Sequence, residues 1–377
     1  MKVGILTLPL NNNYGGILQA WALQQVLINM EHEPELIART RDYPKLSKIF
    51  VRNLVSFGKS LVVNAVNGKR VRYLRSPFKR DYNPRTPEYC DGKFVKENIL
   101  SSPKLSSDKE FHYWLGTHHY DAFIVGSDQI WREEYSPDID AFFLDFVKSD
   151  DPCKKIAYAA SFGTEKDYIS ESKIDKCIEN LKKFNAVSVR EDGGIKIVKD
   201  KFHREDVIKV LDPTLLLSKD VYHGLIEKKD RSNLRFIAAY LLDQSDENLR
   251  IVEAISQRKG IPVKIISAHK GYEMLTMSEW LANFSDCEFV VTDSFHGTAF
   301  SLIFEKNFVI IANKERGLGR FESLLKMLGL EERLMYGESN LEKGYETFIQ
   351  DVDYSKANVK IEDLREISLN FLKSGLS

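Results

Sequence analysis

Cysteine is scarce in this chain: Cys90, Cys153, Cys177 and Cys287 are the only four among 377 residues, widely separated and without metal-ligand spacing. This excludes a disulfide-framed scaffold and a zinc-ribbon site, and no metal is expected. The thiols read as small packing residues in a reducing cytoplasm. An excess of one charge is also missing. With 54 basic against 55 acidic residues, the composition argues against a nucleic-acid partner. No apolar run is long enough to span a bilayer, and the one at the N-terminus, Val3 to Leu8, is too short for a signal peptide. A GxGxxG fingerprint is absent after that first run, so a dinucleotide site has little support there. Internal repeats and low-complexity segments are absent as well.

What the sequence does contain is alternation. Short apolar runs at 3–8, 35–38, 122–126, 156–160 and 186–189 read as strands buried on both faces. The stretch 17–27 places Ala20, Leu23, Val26 and Leu27 on one face of a helix, and 173–183 is also helical. After a break near Val210-Leu211-Asp212-Pro213-Thr214 the pattern restarts. Strands are expected at 236–240, 263–266, 288–291 and 308–311, with helices at 247–259, 278–284, 299–304 and 361–373. The expected fold is α/β, with two Rossmann-like αβα domains facing a cleft: an N-terminal domain over 1–213 and a C-terminal domain over 214–377 that includes the last helix.

Polar turns follow several strands, where open α/β sheets bind ligands. In Asn11 to Gly16 the glycine pair lets backbone approach a ligand closely. Gly126 to Trp131 carries Asp128 beside Trp131, a carboxylate for sugar hydroxyls and a ring for an apolar sugar face, or else a simple helix cap. Arg190 ends a buried strand; it could pair with Glu191 or Asp192, or reach a carboxylate or phosphate bidentately. Asp293-Ser294-Phe295-His296-Gly297-Thr298 runs into a helix, so its amides and histidine suit an anion, phosphate above all. Lys314, Arg316 and Arg320 add three cations near the same sheet end. A basic stretch over 39–80, with apolar residues interleaved, could lie on an anionic membrane, grip an acidic substrate or form a solvated cap on the sheet.

Four of these motifs in this order resemble the polysaccharide pyruvyl transferase family: Asn13 to Ala20, Val125 to Trp131, Ser188 to Glu191 and Asp293 to Gly297. The resemblance runs from about Val3 to about Leu325 and implies a GT-B-like pair of domains. It implies transfer of a pyruvyl group from phosphoenolpyruvate to two hydroxyls of a sugar, forming a cyclic ketal, with phosphoenolpyruvate as donor substrate and no cofactor. Arg190 and His296 match the family's donor residues, whereas Ser294 stands where its Arg-x-His element carries arginine. Catalysis is therefore expected from His296, as general acid or phosphate ligand, and from Asp128, as base or acceptor-orienting carboxylate. Arg190, His296, Gly297, Thr298, Lys314, Arg316 and Arg320 are the expected donor site. Asn13, Tyr14, Gly15, Asp128 and Trp131 are the expected acceptor side. The acceptor is expected to be a glycan or lipid-linked saccharide in cell-surface or exopolysaccharide synthesis, met in the cytoplasm with peripheral contact to the inner membrane face through 39–80.

Overall fold

A computed structural model describes residues 1–10, 13–41, 92–164, 169–227, 235–267, 274–312 and 317–377. Strands that are apolar on both faces need helices above and below, and two parallel sheets covered in this way form. The first contains β1 (Lys2–Leu6), β2 (Glu33–Leu36), β3 (Ala122–Asp128), β4 (Lys154–Ala160), β5 (Ala186–Val189) and β6 (Ile208–Lys209). Its order is β2-β1-β3-β4-β5-β6, with every pairing parallel. The second contains β7 (Ile237–Tyr240), β8 (Val263–Ile266), β9 (Phe289–Thr292), β10 (Asn307–Ile311) and β11 (Leu334–Met335). Its order is β11-β10-β9-β7-β8, again all parallel.

Each order reverses once. In the first sheet the chain runs outward from β1 to β2 and returns to the other side of β1 at β3; in the second, β9 does the same beside β7. Helices leave in opposite directions at such a point and open a crevice at the carboxyl ends of the strands. The turns at 126–131 and 293–298 therefore stand at the two crevices, which fixes where chemistry can occur.

The two halves share packing. The helix Tyr14–Asn29 buries Tyr14, Ile17, Leu18, Trp21 and Ala22 in addition to the single apolar face expected of it. The cause is a second neighbour: besides the first sheet it meets the turn Pro213–Leu216, and Trp21 lies 5.8 Å from the ring of Tyr222. One apolar cluster runs from Val3 and Ile124 through this helix to Trp280, Val290 and Phe300. The last helix, Tyr354–Leu376, returns to the first sheet. Its Phe371 lies 6.2 Å from Tyr158, and the Leu211 amide donates to Ser368 Oγ at 2.9 Å.

Of the basic stretch, 42–80 lies outside the described residues. Its first two arginines bind this chain itself: Arg39 pairs with Asp108 and Asp138, and Arg41 donates to the carbonyls of Glu134 and Ser136. No helix among the described residues is long and apolar enough to cross a membrane.

Candidate functional site

The end of β3 brings Ser127 and Asp128 to the crevice. Asp128 adopts φ 77°, a left-handed conformation that is costly for a side chain with a Cβ and that recurs at functional sites. The end of β5 supplies Arg190 and Glu191, and the segment after β6 supplies Asp212. From the second half come Phe295 and His296, in the first turn of the helix Phe295–Ile303, and Arg320, in the helix Gly319–Leu328. Helix 295–303 begins four residues before the Ala299 start expected from sequence, because Ser294 caps it: its hydroxyl accepts from the Gly297 amide at 3.3 Å.

These groups meet in one buried network. Arg190 Nη2 donates to Asp128 Oδ1 and Arg190 Nη1 to Asp212 Oδ2, each at 2.8 Å. Ser127 Oγ donates to the same Asp212 oxygen at 3.0 Å, while Asp212 Oδ1 accepts from the Thr214 amide and hydroxyl. His296 Nε2 lies 3.9 Å from Asp212 Oδ2, and Glu191 Oε2 lies 3.7 Å from Arg190 Nε. Phe295 stands between the cations, its ring centroid 4.8 Å from Arg190 Cζ and 5.7 Å from Arg320 Cζ. His296 Nε2, Arg190 Nε and Glu191 Oε2 are buried without a hydrogen bond. Such atoms normally have partners, so they mark where a ligand or water completes the site.

The charges nearly cancel. Burial works to raise the pKa of Asp128, but Arg190, then His296 and Arg320, outweigh it and hold the carboxyl below its ordinary range. Asp212 behaves alike: burial opposes ionisation, and His296, Arg190 and the Thr214 hydrogen bonds overcome it. Glu191 goes the other way, burial raising its pKa against the pull of Arg190. Burial also lowers the pKa of His296, more than Asp212 and Asp128 raise it, so its imidazole is neutral near pH 7. Arg320 is pushed down to about 10, first by burial and then by Arg190, and keeps its proton. Two carboxylates thus face two guanidinium groups, with a neutral imidazole and a carboxyl biased toward its acid form.

Several expected roles change in this light. Arg190 is hydrogen-bonded by Asp128 and Asp212 and paired with Glu191 at 3.7 Å, so it is not a bare clamp awaiting phosphate, although its Nε lacks a hydrogen bond. A neutral His296 can accept a proton or a hydrogen bond from a group placed beside it. Asp128, held ionised by Arg190, is a weak base and a good hydroxyl acceptor. Gly297 and Thr298 serve the helix itself: the Gly297 amide is capped by Ser294, and the Thr298 hydroxyl donates to the Ser294 carbonyl at 3.2 Å.

Trp131 and Tyr14 are corrections too. The Trp131 indole is fully buried, stacks on Phe143 at 5.3 Å and donates Nε1–H to the Phe142 carbonyl, leaving no face for a sugar. Tyr14 is equally buried, stacked on Trp280, and its hydroxyl donates to the Leu275 carbonyl across the two halves. Gly15 lies against the catalytic candidate, for a Cβ there would stand 2.2 Å from His296 Cγ. Asn13 caps the helix 14–29, accepting from the Gly16 amide at 3.1 Å, and borders a cleft together with Asp128. Lys314 and Arg316 lie outside the described residues. Among the described residues no group of three or more His, Cys, Asp or Glu is placed to hold a metal ion.

Asp212 and Ser127 escaped the sequence reading as site residues. The signal for Asp212 was present, an acid before Pro213-Thr214 at the end of an apolar run, but it reads equally as a chain break.

Comparison with known proteins places the chain. The family model for polysaccharide pyruvyl transferases matches residues 13–315. No curated protein matches in sequence. Among solved structures, S. aureus MnaA with UDP aligns over 98% of this chain and 97% of its own, at 10% identity and a TM-score of 0.50. A Listeria monocytogenes protein assigned as a UDP-N-acetylglucosamine 2-epimerase aligns over 95% and 93%, at 8% identity and a TM-score of 0.51. At such identities the likeness is one of fold, and the fold is GT-B-like.

Proposed function

This chain belongs to the polysaccharide pyruvyl transferase family, and from that premise we propose that it transfers a pyruvyl group from phosphoenolpyruvate to two hydroxyls of a saccharide. The observation that carries the reading is the buried chain His296–Asp212–Arg190–Asp128, which joins the two crevices. Ketal formation joins both sugar oxygens to C2 of the enol. The C3 methylene gains a proton and becomes methyl, and the phosphate leaves with the second proton. His296, held neutral, accepts a proton from an attacking hydroxyl, and Asp212 beside it stabilises the imidazolium that results. Asp128 orients the hydroxyls. Phosphoenolpyruvate brings both a phosphate and a carboxylate to a site whose own charges balance. Arg320 is the cation source in place of the arginine that Ser294 replaces. The acceptor is a glycan or lipid-linked saccharide of cell-surface polysaccharide assembly, met on the cytoplasmic side.

The test combines phosphoenolpyruvate with a panel of saccharide acceptors and follows phosphate release, with mass spectrometry of the product. His296→Ala is expected to slow turnover by at least about 100-fold, the range for loss of a general base. Unchanged turnover would remove His296 from the mechanism. Thermal stabilisation by nucleotide sugars and not by phosphoenolpyruvate would overturn the donor and favour glycosyl transfer.

A further inference from the structure

Beside the ionic network lies a cleft of about 310 Å³, bordered by Asn13, Gln19, Arg41, Asp128, Glu134 and Tyr135. That volume is at the small end for ligand sites and suits one sugar ring better than a nucleotide sugar. Its polar groups are mostly acceptors. Gln19 is buried, and its amide is oriented by donation from Nε2 to Thr7 Oγ1 at 3.0 Å and to the Gly16 carbonyl at 3.1 Å. Its Oε1 is buried and unmatched, which is costly unless a donor arrives with a ligand. Asp128 gives Oδ1 to Arg190, yet its side chain keeps 11% exposure on this cleft. Of the described residues that border it, Arg41 is the cation, and it directs its guanidinium to the Glu134 and Ser136 carbonyls. Among the described lining residues, an anion would meet the carboxylates of Asp128 and Glu134 and an amide oxygen.

Tyr135 completes the site. It is 43% exposed, and the Arg132 guanidinium covers one face of its ring at 4.3 Å. Arg132 is itself held by Glu134 at 3.0 Å. The ring is thus fixed from one side and offers the other, a platform for the apolar face of a sugar.

We infer that this cleft binds a neutral pyranose through its hydroxyls, with Gln19 Oε1 and Asp128 accepting from them and Tyr135 covering the ring. The inference rests on the proposed function in taking that ring as the acceptor. Asp128 then belongs to both sites: one oxygen anchors Arg190 while the carboxylate meets the sugar diol.

The experiment is saturation-transfer NMR on the full chain without phosphoenolpyruvate, so that no turnover is needed. The probes are methyl glucoside, galactoside and mannoside, each against hexose 1-phosphate. At least one neutral probe is expected to bind more tightly than the phosphate. Tyr135→Ala is expected to weaken that binding about fivefold, the scale of one aromatic contact, whereas Tyr135→Phe retains it. No transfer to any neutral probe, tighter binding of the phosphate, or an unchanged Tyr135→Ala each overturns the inference. Sugar binding that persists while phosphoenolpyruvate is never consumed counts against the reaction and leaves the cleft standing.

Discussion

The turn after β3 and the turn after β9 hold equivalent places in their sheets, yet they use their polar residues differently. At the end of β3, Ser127 and Asp128 send their side chains into contacts far along the chain, with Asp212 and Arg190. At the end of β9 almost every polar group serves backbone instead of side chains. Asp293 accepts the amides of Leu242 and Asp243 at 2.6 and 2.8 Å, Thr292 donates to the Tyr240 carbonyl, and Ser294 caps its helix. His296 is the exception, crossing to Asp212. The first half thus concentrates fixed charge, and the second supplies a rigid mount for one titratable ring. Among the described residues of the expected donor site, Arg190 is paired with two carboxylates and the imidazole is held beside one of them.

The largest effect should come from removing the hub. Asp212→Ala leaves Arg190 short of a buried partner and is expected to cost about 3–5 kcal/mol in urea unfolding. The matching change after β9, Asp293→Ala, frees two amides and should cost about 1–3 kcal/mol. Equal losses would erase the contrast between the two turns.

A smaller effect is set by pH. The His296 pKa lies below its ordinary value of 6.5, so acid protonates the unfolded chain before the native one. The stability this contributes is full above pH 6.5 and is lost as pH falls below it, with a slope of at most about 1.4 kcal/mol per pH unit. His296→Asn should flatten the stability profile just below pH 6.5 by that one proton. A slope identical to that of the parent chain would mean that His296 titrates freely and is not held neutral.

The smallest effect belongs to the position where the family carries arginine. Ser294→Ala removes a helix cap and is expected to lower stability by about 1 kcal/mol, read from the unfolding midpoint. A loss near zero would show that Ser294 has no capping role.

Much of the fold was legible because buried parallel strands advertise themselves as short apolar runs. Ala122–Asp128, Lys154–Ala160 and Ala186–Val189 all lie where such runs predict. The site was legible in part. Asp128, Arg190, His296 and Arg320 do come together, and sequence marks each as a polar residue at a strand or helix end. Their partnerships were hidden, since Arg190 bridges 62 residues back to Asp128 and 22 forward to Asp212. Trp131 shows the opposite error. A ring beside a carboxylate looks like a sugar platform, but the turn Ala141–Phe143 places Phe143 against it and closes it into the core. Tyr135, four residues on, keeps the exposure that such a platform needs.

Gly15 ties these observations to motion. Its backbone fills the space beside His296 so closely that a methyl group would not fit. Gly317 likewise touches the other half, since a Cβ there would stand 1.7 Å from the Gly163 carbonyl oxygen. The imidazole is thus walled by the half to which it does not belong. A separation of the two halves would therefore take the ring away from Gly15 and from Asp212 together.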